Sequence, residues 1–416
     1  MPKYDIWTTG CQLYKAESAR LSACLDSSGY RAAAAVNEAD LIILNSCVVR
    51  QSAEDRVVNK LLDLKALKKL YPEKLLAVTG CLVKPEANGL KDRFGHVDHF
   101  FRPGDMPSWL PGREDGAIIF PDKPPVSVFV PIMQGCNNFC SYCIVPYRRG
   151  QEKSRPVAEV VCEVGAMVDR GVREVTLLGQ NVDSYGRDTP GGPELADLLT
   201  ELNGLPGLAR LRFLTNHPKD MSPRLVRAVA SLDKVCEEIG LPVQSGSDEI
   251  LRLMRRGYTA ARYRALVQDI RNQVPQVSLS TDVIVGFPSE SGGQFQETLD
   301  LLSEIKFDTV HVAVYSPREG TLAARELNDD VAPADKKARL AVIEKRQEEI
   351  ASEINARFLG RTVEVLVERK TRGKWSGRTR GGKIVFSTDK AERTGKLTRV
   401  RITRTGAWSM QGEPES

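Results

Sequence analysis

Histidine is scarce in this chain, with four in 416 residues, at positions 96, 99, 217 and 311. None stands beside a cysteine in the sequence, so the local Cys/His groupings that mark zinc sites are missing. No apolar run approaches the ~18 residues of a membrane-spanning helix, so the protein is expected to be soluble, with no membrane partner. The N-terminus, MPKYDIWTTG, reads as neither a signal peptide nor a transit peptide. Nine cysteines without an export signal point to a reducing cytoplasm and to metal or catalytic use of the thiols rather than disulfides. The net charge of +5 is small for this length, but it is unevenly spread. Residues 361–416 hold fourteen Lys and Arg against six Asp and Glu, a balance of +8 that leaves −3 for the rest. That excess predicts a polyanionic partner at the C-terminal end.

Against these absences stands Cys136-Asn-Asn-Phe-Cys140-Ser-Tyr-Cys143, a C-x3-C-x2-C run that follows the apolar stretch 126–133. Three thiolates at this spacing suit three corners of a cubic iron–sulfur cluster. Full ligation takes four cysteines, and no fourth is near, so one iron would stay open to a ligand. Zinc binding and buried structural cysteines are the alternatives. A second set is spread over the first 115 residues. The apolar runs 4–9, 41–46 and 75–80 each end just before a cysteine, at Cys11, Cys47 and Cys81. Each run reads as a buried strand, with helices expected at about 15–28, 52–70 and 84–94. In an open parallel sheet the loops after strand C-termini share one edge, so cysteines 36 and 34 residues apart converge there. Cys24, Cys162 and Cys236 lack that placement and read as structural.

The fold class is α/β in three parts. An N-terminal parallel-sheet domain spans 1–115. A Pro- and Gly-rich linker at 103–125 marks the boundary. A central partial (β/α)6 barrel spans 122–352, with strands near 126–133, 173–179, 209–214, 239–243, 277–285 and 309–314. Its site is expected at the strand C-termini, where polar clusters gather. Gln180, Asn181, Ser245 and Ser247 are the candidate cofactor contacts there, although Ser247 could equally cap the next helix. Residues 354–416 read as a small all-β barrel, with strands at 362–368, 383–386 and 397–403. Its basic residues are interleaved with Trp375 and Phe386, a pattern suited to RNA backbone and bases. Arg372, Lys374, Arg378 and Arg380, around a presumed turn, are the candidate RNA contacts.

The assembled order resembles the methylthiotransferases of the radical S-adenosylmethionine class, and most closely their MiaB-type tRNA-modifying branch. The carrying residues are Gly10-Cys-Gln12, Asn45-Ser-Cys-Val-Val-Arg50, Gly135-Cys-Asn-Asn-Phe-Cys-Ser-Tyr-Cys-Ile-Val-Pro146, Arg149-Gly150, Leu177-Leu-Gly-Gln-Asn-Val182, Ser184-Tyr-Gly186, His217-Pro-Lys-Asp220, Leu241-Pro-Val-Gln-Ser-Gly-Ser247, Thr281-Asp-Val-Ile-Val-Gly-Phe-Pro288 and Tyr315-Ser-Pro-Arg318. The C-terminal segment resembles a TRAM domain, which in this family implies RNA contact. The resemblance implies two 4Fe-4S clusters. Cys136, Cys140 and Cys143 would hold the one that cleaves S-adenosylmethionine to a 5′-deoxyadenosyl radical. Cys11, Cys47 and Cys81 would hold an auxiliary cluster that carries the sulfur. The implied product is 2-methylthio-isopentenyladenosine at position 37, made on the tRNA anticodon stem-loop with two S-adenosylmethionine per turnover. An electron donor such as flavodoxin or ferredoxin would serve it.

Four stretches depart from the family pattern. Tyr14 stands where Asn is usual, Leu82-Val-Lys84 replaces Met-Ala-Gln, Arg148 replaces Thr, and Gly240 replaces a His. Two related activities compete, methylthiolation of threonylcarbamoyl-adenosine in tRNA and modification of a ribosomal protein. From another class, an RNA-binding iron–sulfur protein without turnover is the alternative.

Overall fold

Buried aliphatic strands set the N-terminal sheet. In the computed structural model, which describes residues 1–48, 51–83, 89–105, 109–110 and 124–415, Leu41–Ser46 is buried at every residue and Leu75–Gly80 at all but its first. Strands covered on both faces read this way. They join Lys3–Thr9 in a five-stranded parallel sheet of order Arg31–Ala32, Lys3–Thr9, Leu41–Ser46, Leu75–Gly80, His99–Phe100. Helices Gln12–Ser27 and Gln51–Leu70 stand where helices were expected. The third expected helix appears as Leu90–Arg93, with 84–88 outside the described residues. Most of the linker also lies outside them.

The six barrel strands are Ser127–Pro131, Glu174–Leu178, Arg210–Phe213, Glu238–Gly240, Ser278–Val285 and Thr309–Val314. They form two three-stranded parallel sheets joined by a parallel bridge between Leu211 and Val235, an open arc in chain order. Its core combines inward strand residues such as Val130, Leu177, Leu211 and Val283 with helix residues such as Leu198 and Val267. A helix at Pro223–Ser231 also packs on the barrel. Its signal was Ser222-Pro223, since the Ser222 hydroxyl accepts from Leu225 N–H and proline suits a first helical position. Among the described residues, no helix is long and apolar enough to cross a membrane.

The C-terminal segment closes into a five-stranded barrel of order Thr362–Thr371, Lys374–Arg378, Ile384–Ser387, Met410–Pro414, Leu397–Thr405. Lys374–Arg378 and Met410–Pro414 are the strands that sequence periodicity missed. Trp375 does not offer a stacking face. It is 2% exposed, packs with Val365, Val400 and Ile402, and its indole donates to Asp389 O. Phe386 is half-buried, and the exposed aromatic of this barrel is Trp408.

The two outer domains sit at opposite ends of the central barrel. The C-terminal barrel docks where the central strands begin. Glu174 opens one strand, and its carboxylate accepts from Arg212 Nε at 2.9 Å and Arg378 Nη2 at 2.8 Å. Arg380 pairs with Glu237 at 2.8 Å and donates to the carbonyls of Asp233 and Val235. Lys383 pairs with Asp308 at 2.7 Å. Arg210, fully buried, donates to Arg378 O and to Glu364. Arg378 and Arg380, expected on the RNA, are therefore spent on the domain joint, because the barrel base presents acids to them. The N-terminal domain docks at the other end. Leu13 and Ala16 pack on Leu178 beside Phe129 and Leu214. Glu17 pairs with Arg149 at 2.7 Å, and Arg318 bonds Gln51 at 2.8 Å and pairs with Glu54.

Candidate active site

The cysteine loop at the barrel mouth is shaped by one glycine. Gly135 has φ of +81°, and a Cβ there would lie 1.9 Å from Gln151 O. Only a residue without a side chain lets the strand Met133–Gln134 turn into the loop so closely against 150–151. The loop is then tied down by backbone bonds. Cys136 N–H donates to Gly150 O, Cys143 N–H to Cys140 O, and Ser141 N–H to Met254 O. Around the thiols lies a polar set that sequence reasoning did not assign. The guanidinium of Arg256, itself buried, donates to Cys140 Sγ at 3.3 Å. His217 Nε2 lies 3.9 Å from the same sulfur, although 77 residues separate the two in sequence. Burial, and then the charge of Arg256, push the His217 imidazole down to about 3, so it is neutral at physiological pH. The Asp183 carboxylate accepts from His217 N–H at 2.9 Å and from the Asn216 amide at 2.5 Å. Asp220 accepts from Asn138 at 3.1 Å, Asn181 at 2.8 Å and Arg187 at 2.7 Å. Burial would raise Asp220, but these three bonds hold it below the usual carboxylate range.

The strands that lead into the second set of cysteines end level on one edge of the sheet. Thr9 pairs with Ser46 and Ser46 with Gly80, so the three chains leave the sheet level with one another. Cys47 N–H donates to Thr9 O, and Cys81 N–H to Ser46 O, each one residue past the ladder. Cys11 is exposed, while Cys47 and Cys81 are buried. The Tyr14 hydroxyl reaches Cys81 Sγ at 2.6 Å. Arg149, from the barrel, lies over the Tyr14 ring at 5.1 Å, so the domain joint runs beside Cys81.

The rim candidates divide. Both amide atoms of Gln180 are buried and find no hydrogen-bond partner among the described residues. Asn181 spends its amide N–H on Asp220 and leaves its oxygen without one. Ser245 does not serve as a rim contact. It is fully buried, shares a bond with Thr298 Oγ1 at 3.3 Å and accepts from Ser247 N–H. Its hydroxyl thus closes its own turn onto the helix Gly292–Ile305. Ser247 precedes the helix Asp248–Leu253, but its hydroxyl makes no capping bond. Among the three cysteines read as structural, Cys24 and Cys236 are buried, whereas Cys162 is exposed on a helix surface and packing does not account for it. Of the departures, Gly240 lies in a strand where an added Cβ would sit 3.3 Å from the Ser280 hydroxyl, and nothing else in the structure explains the glycine. Arg148 is half-buried at the domain joint, and Lys84 lies outside the described residues.

The donor sets fit the implied clusters. Burial pushes the Cys136 thiol up to about 11 and the Cys143 thiol up to about 12. A nearby cationic centre inverts that balance and makes such sulfurs thiolate. Among the described residues, no three His, Cys, Asp or Glu side chains gather closely enough for a single metal ion. A multi-iron cluster takes each thiolate on a different iron, which suits sulfurs held further apart. The unpartnered amide of Gln180 suits a polar ligand beside the barrel's cysteine loop.

The chain matches the Radical SAM superfamily over residues 130–302, the Uncharacterized protein family UPF0004 over 3–102 and the TRAM domain over 356–414. It is 51% identical over 413 residues to the tRNA-2-methylthio-N(6)-dimethylallyladenosine synthase of Dehalococcoides mccartyi (strain CBDB1), covering 99% of this chain and 98% of that protein. A protein of the same name from Chloroflexus aurantiacus (strain ATCC 29366 / DSM 635 / J-10-fl) is 49% identical over 426 residues, covering 99% and 91%. Among solved structures, the cobalamin-dependent S-adenosylmethionine radical enzyme OxsB, with aqua-cobalamin and S-adenosylmethionine bound, aligns with a TM-score of 0.56 at 12% identity, covering 85% of this chain and 67% of that one. The radical S-adenosylmethionine methyltransferase TsrM from Kitasatospora setae aligns with a TM-score of 0.53 at 12% identity, covering 90% and 81%. At that identity the two structures speak for the fold alone. With relatives half identical along nearly its whole length, and with all six strand-end and loop cysteines in place, the chain belongs to the MiaB-type tRNA methylthiotransferases of the radical S-adenosylmethionine class.

Proposed function

We propose that this protein is a tRNA-2-methylthio-N6-dimethylallyladenosine synthase, which places a methylthio group on carbon 2 of isopentenyladenosine at tRNA position 37. Two S-adenosylmethionine are used per turnover. The observation that carries the reading is a three-cysteine loop at the barrel mouth together with a second row of strand-end cysteines, their domains meeting where Arg149 covers the Tyr14 ring beside Cys81. Cys136, Cys140 and Cys143 hold one 4Fe-4S cluster, and Cys11, Cys47 and Cys81 hold another. When bound, these cofactors supply reductive cleavage of S-adenosylmethionine and a sulfur atom for transfer, while the protein supplies orientation and exclusion. Arg256 supports the Cys140 thiolate with a charge-assisted bond, and neutral His217 packs beside it. Gln180, Asn181 and Ser247 offer polar contacts to S-adenosylmethionine. The N-terminal domain, seated on Leu178 and Leu214, covers the mouth and keeps water from it. The adenine leaves its stack to enter, which anticodon-loop bases do at low cost. The reductant is a small electron-transfer protein of flavodoxin or ferredoxin type, and the setting is cytoplasmic. Nucleoside mass spectrometry of tRNA from cells with and without the protein tests the product. Loss of 2-methylthio-isopentenyladenosine on deletion is expected. Loss of 2-methylthio-threonylcarbamoyl-adenosine instead would give the protein the sister activity.

The C-terminal barrel grips the anticodon stem-loop through phosphates. Arg372 and Lys374 flank the tip of the hairpin Thr362–Thr371/Lys374–Arg378 and are exposed. Reversing both to Glu should weaken tRNA binding and reduce the slope of log K against log salt by about 2, one per lost phosphate contact. Filter binding across a salt series measures this. Equal slopes for variant and parent would remove these two residues from the RNA interface. Arg378→Ala and Arg380→Ala should instead loosen the domain joint.

A further inference from the structure

We propose that Tyr14 tunes the sulfur-carrying cluster of the N-terminal domain by donating its hydroxyl hydrogen to the ligand sulfur of Cys81. This rests on the reading above, in which Cys11, Cys47 and Cys81 hold a cluster. The phenol oxygen lies 2.6 Å from Cys81 Sγ, and the side chain is 2% exposed, so water does not compete for the bond.

Contacts to its backbone and to its ring hold Tyr14 in place. Gly10, with φ of +144°, lies so close that a Cβ there would sit 2.4 Å from Tyr14 Cδ2. Asn45, on the central strand, donates its amide to Tyr14 O at 3.1 Å. From the barrel, Arg149 covers the ring face at 5.1 Å. Arg149 is in turn held at 2.7 Å by Glu17, one turn further along the helix that carries Tyr14. With its backbone tied to the strand and its ring between the glycine turn and the neighbouring domain, the side chain has little freedom to turn its hydroxyl away.

The electrostatic consequence has a definite sign. A cluster gains one negative charge when it takes up one electron. An O–H dipole pointed at a ligand sulfur stabilises the more negative state, so it raises the reduction potential. The joint with the barrel contributes as well, because Arg149 steadies the donor from the far side. Tyr14 is thus a positioning residue that sets how readily the N-terminal cluster is reduced.

The test uses the full-length chain with Cys136, Cys140 and Cys143 replaced by Ala, so that the N-terminal cluster is the sole paramagnet after anaerobic reconstitution. Potentiometric titration followed by electron paramagnetic resonance compares this parent with the same chain carrying Tyr14→Phe. At a fixed potential, Tyr14→Phe should lower the ratio of reduced to oxidised cluster about tenfold, a fall of about 59 mV for one electron. A purely structural role for the phenol would leave the midpoint where it was. The second measurement needs no variant at Tyr14. In D2O, pulsed resonance of the reduced parent should show an exchangeable deuteron coupled to the cluster. An unchanged midpoint with the cluster fully occupied overturns the proposal, and so does the absence of that deuteron. Loss of the cluster from Tyr14→Phe with a native circular dichroism spectrum would also overturn it, in favour of an assembly role. A parent that holds no iron at all would overturn the two-cluster reading itself, an outcome distinct from these.

Discussion

Replacing Cys136, Cys140 and Cys143 together by Ala is expected to abolish reductive cleavage of S-adenosylmethionine while leaving about half of the iron. The two ligand sets belong to different domains. One is a loop held by Gly135 and by bonds to Gly150 and Met254, and the other is a row of strand ends fixed by ladder register. Removing three thiols from the loop leaves the ladder of the N-terminal sheet intact. Iron should therefore fall from about eight to about four per chain. Formation of 5′-deoxyadenosine should drop to background. The mirror variant, with Cys11, Cys47 and Cys81 replaced by Ala, should keep 5′-deoxyadenosine formation and lose methylthiolated product. Iron analysis and chromatography of the reaction measure both. If the loop variant loses all its iron while remaining folded, the two sites are not independent.

Glu174→Ala should destabilise the protein by about 3–5 kcal/mol, the range for a buried ion pair broken from one side. Glu174 is fully buried and answers two guanidiniums, Arg212, which is 3% exposed, and Arg378 from the C-terminal barrel. Without the carboxylate, both cations stay in the joint with less compensation. Burial by itself would raise the Glu174 carboxyl, but Arg212 and then Arg378 overcome it and hold it below the ordinary range. A folded-state pKa below the unfolded one adds stability above about pH 4.3, and that stability is lost as pH falls through the folded value. Glu174→Ala should therefore cost most near neutrality and little in strong acid. Urea unfolding at several pH values tests both claims. An unchanged midpoint at pH 7 would mean that the joint does not depend on this carboxylate.

Much of the fold was legible because it depends on local pattern. The strand ends that lead to Cys11, Cys47 and Cys81 could be placed on one edge from an α/β rhythm alone, since parallel strands deliver their C-termini there. The rest of the site was not legible, because its contacts span long stretches of chain. His217 reaches Cys140 across 77 residues and Arg256 across 116. No spacing rule links such partners. Charge misled in an instructive way. The basic excess of the C-terminal segment was read as an affinity for polyanions, yet Arg378, Arg380 and Lys383 answer Glu174, Glu237 and Asp308 on the neighbouring barrel. Part of the imbalance between the domains is complementarity within the molecule. Trp375 and Ser245 were misread for a related reason. In a small barrel or a tight turn, a residue type suited to a ligand is equally suited to a core or a turn bond, and sequence does not distinguish the two.

The placement of the outer domains at opposite ends of the barrel gives the protein a gauge of length. The strand Glu174–Leu178 begins at the carboxylate that anchors the C-terminal barrel and leads into Gln180 and Asn181 at the mouth. At ~3.3 Å per residue, that stretch measures roughly 20 Å. On the proposed reading, an RNA held by the C-terminal barrel and modified at the mouth has to span the central barrel between them. A free nucleoside, or a loop cut away from its stem, meets only one of the two ends. On that reading selection works by reach, and the length of the central strands sets how far along a folded RNA the chemistry falls.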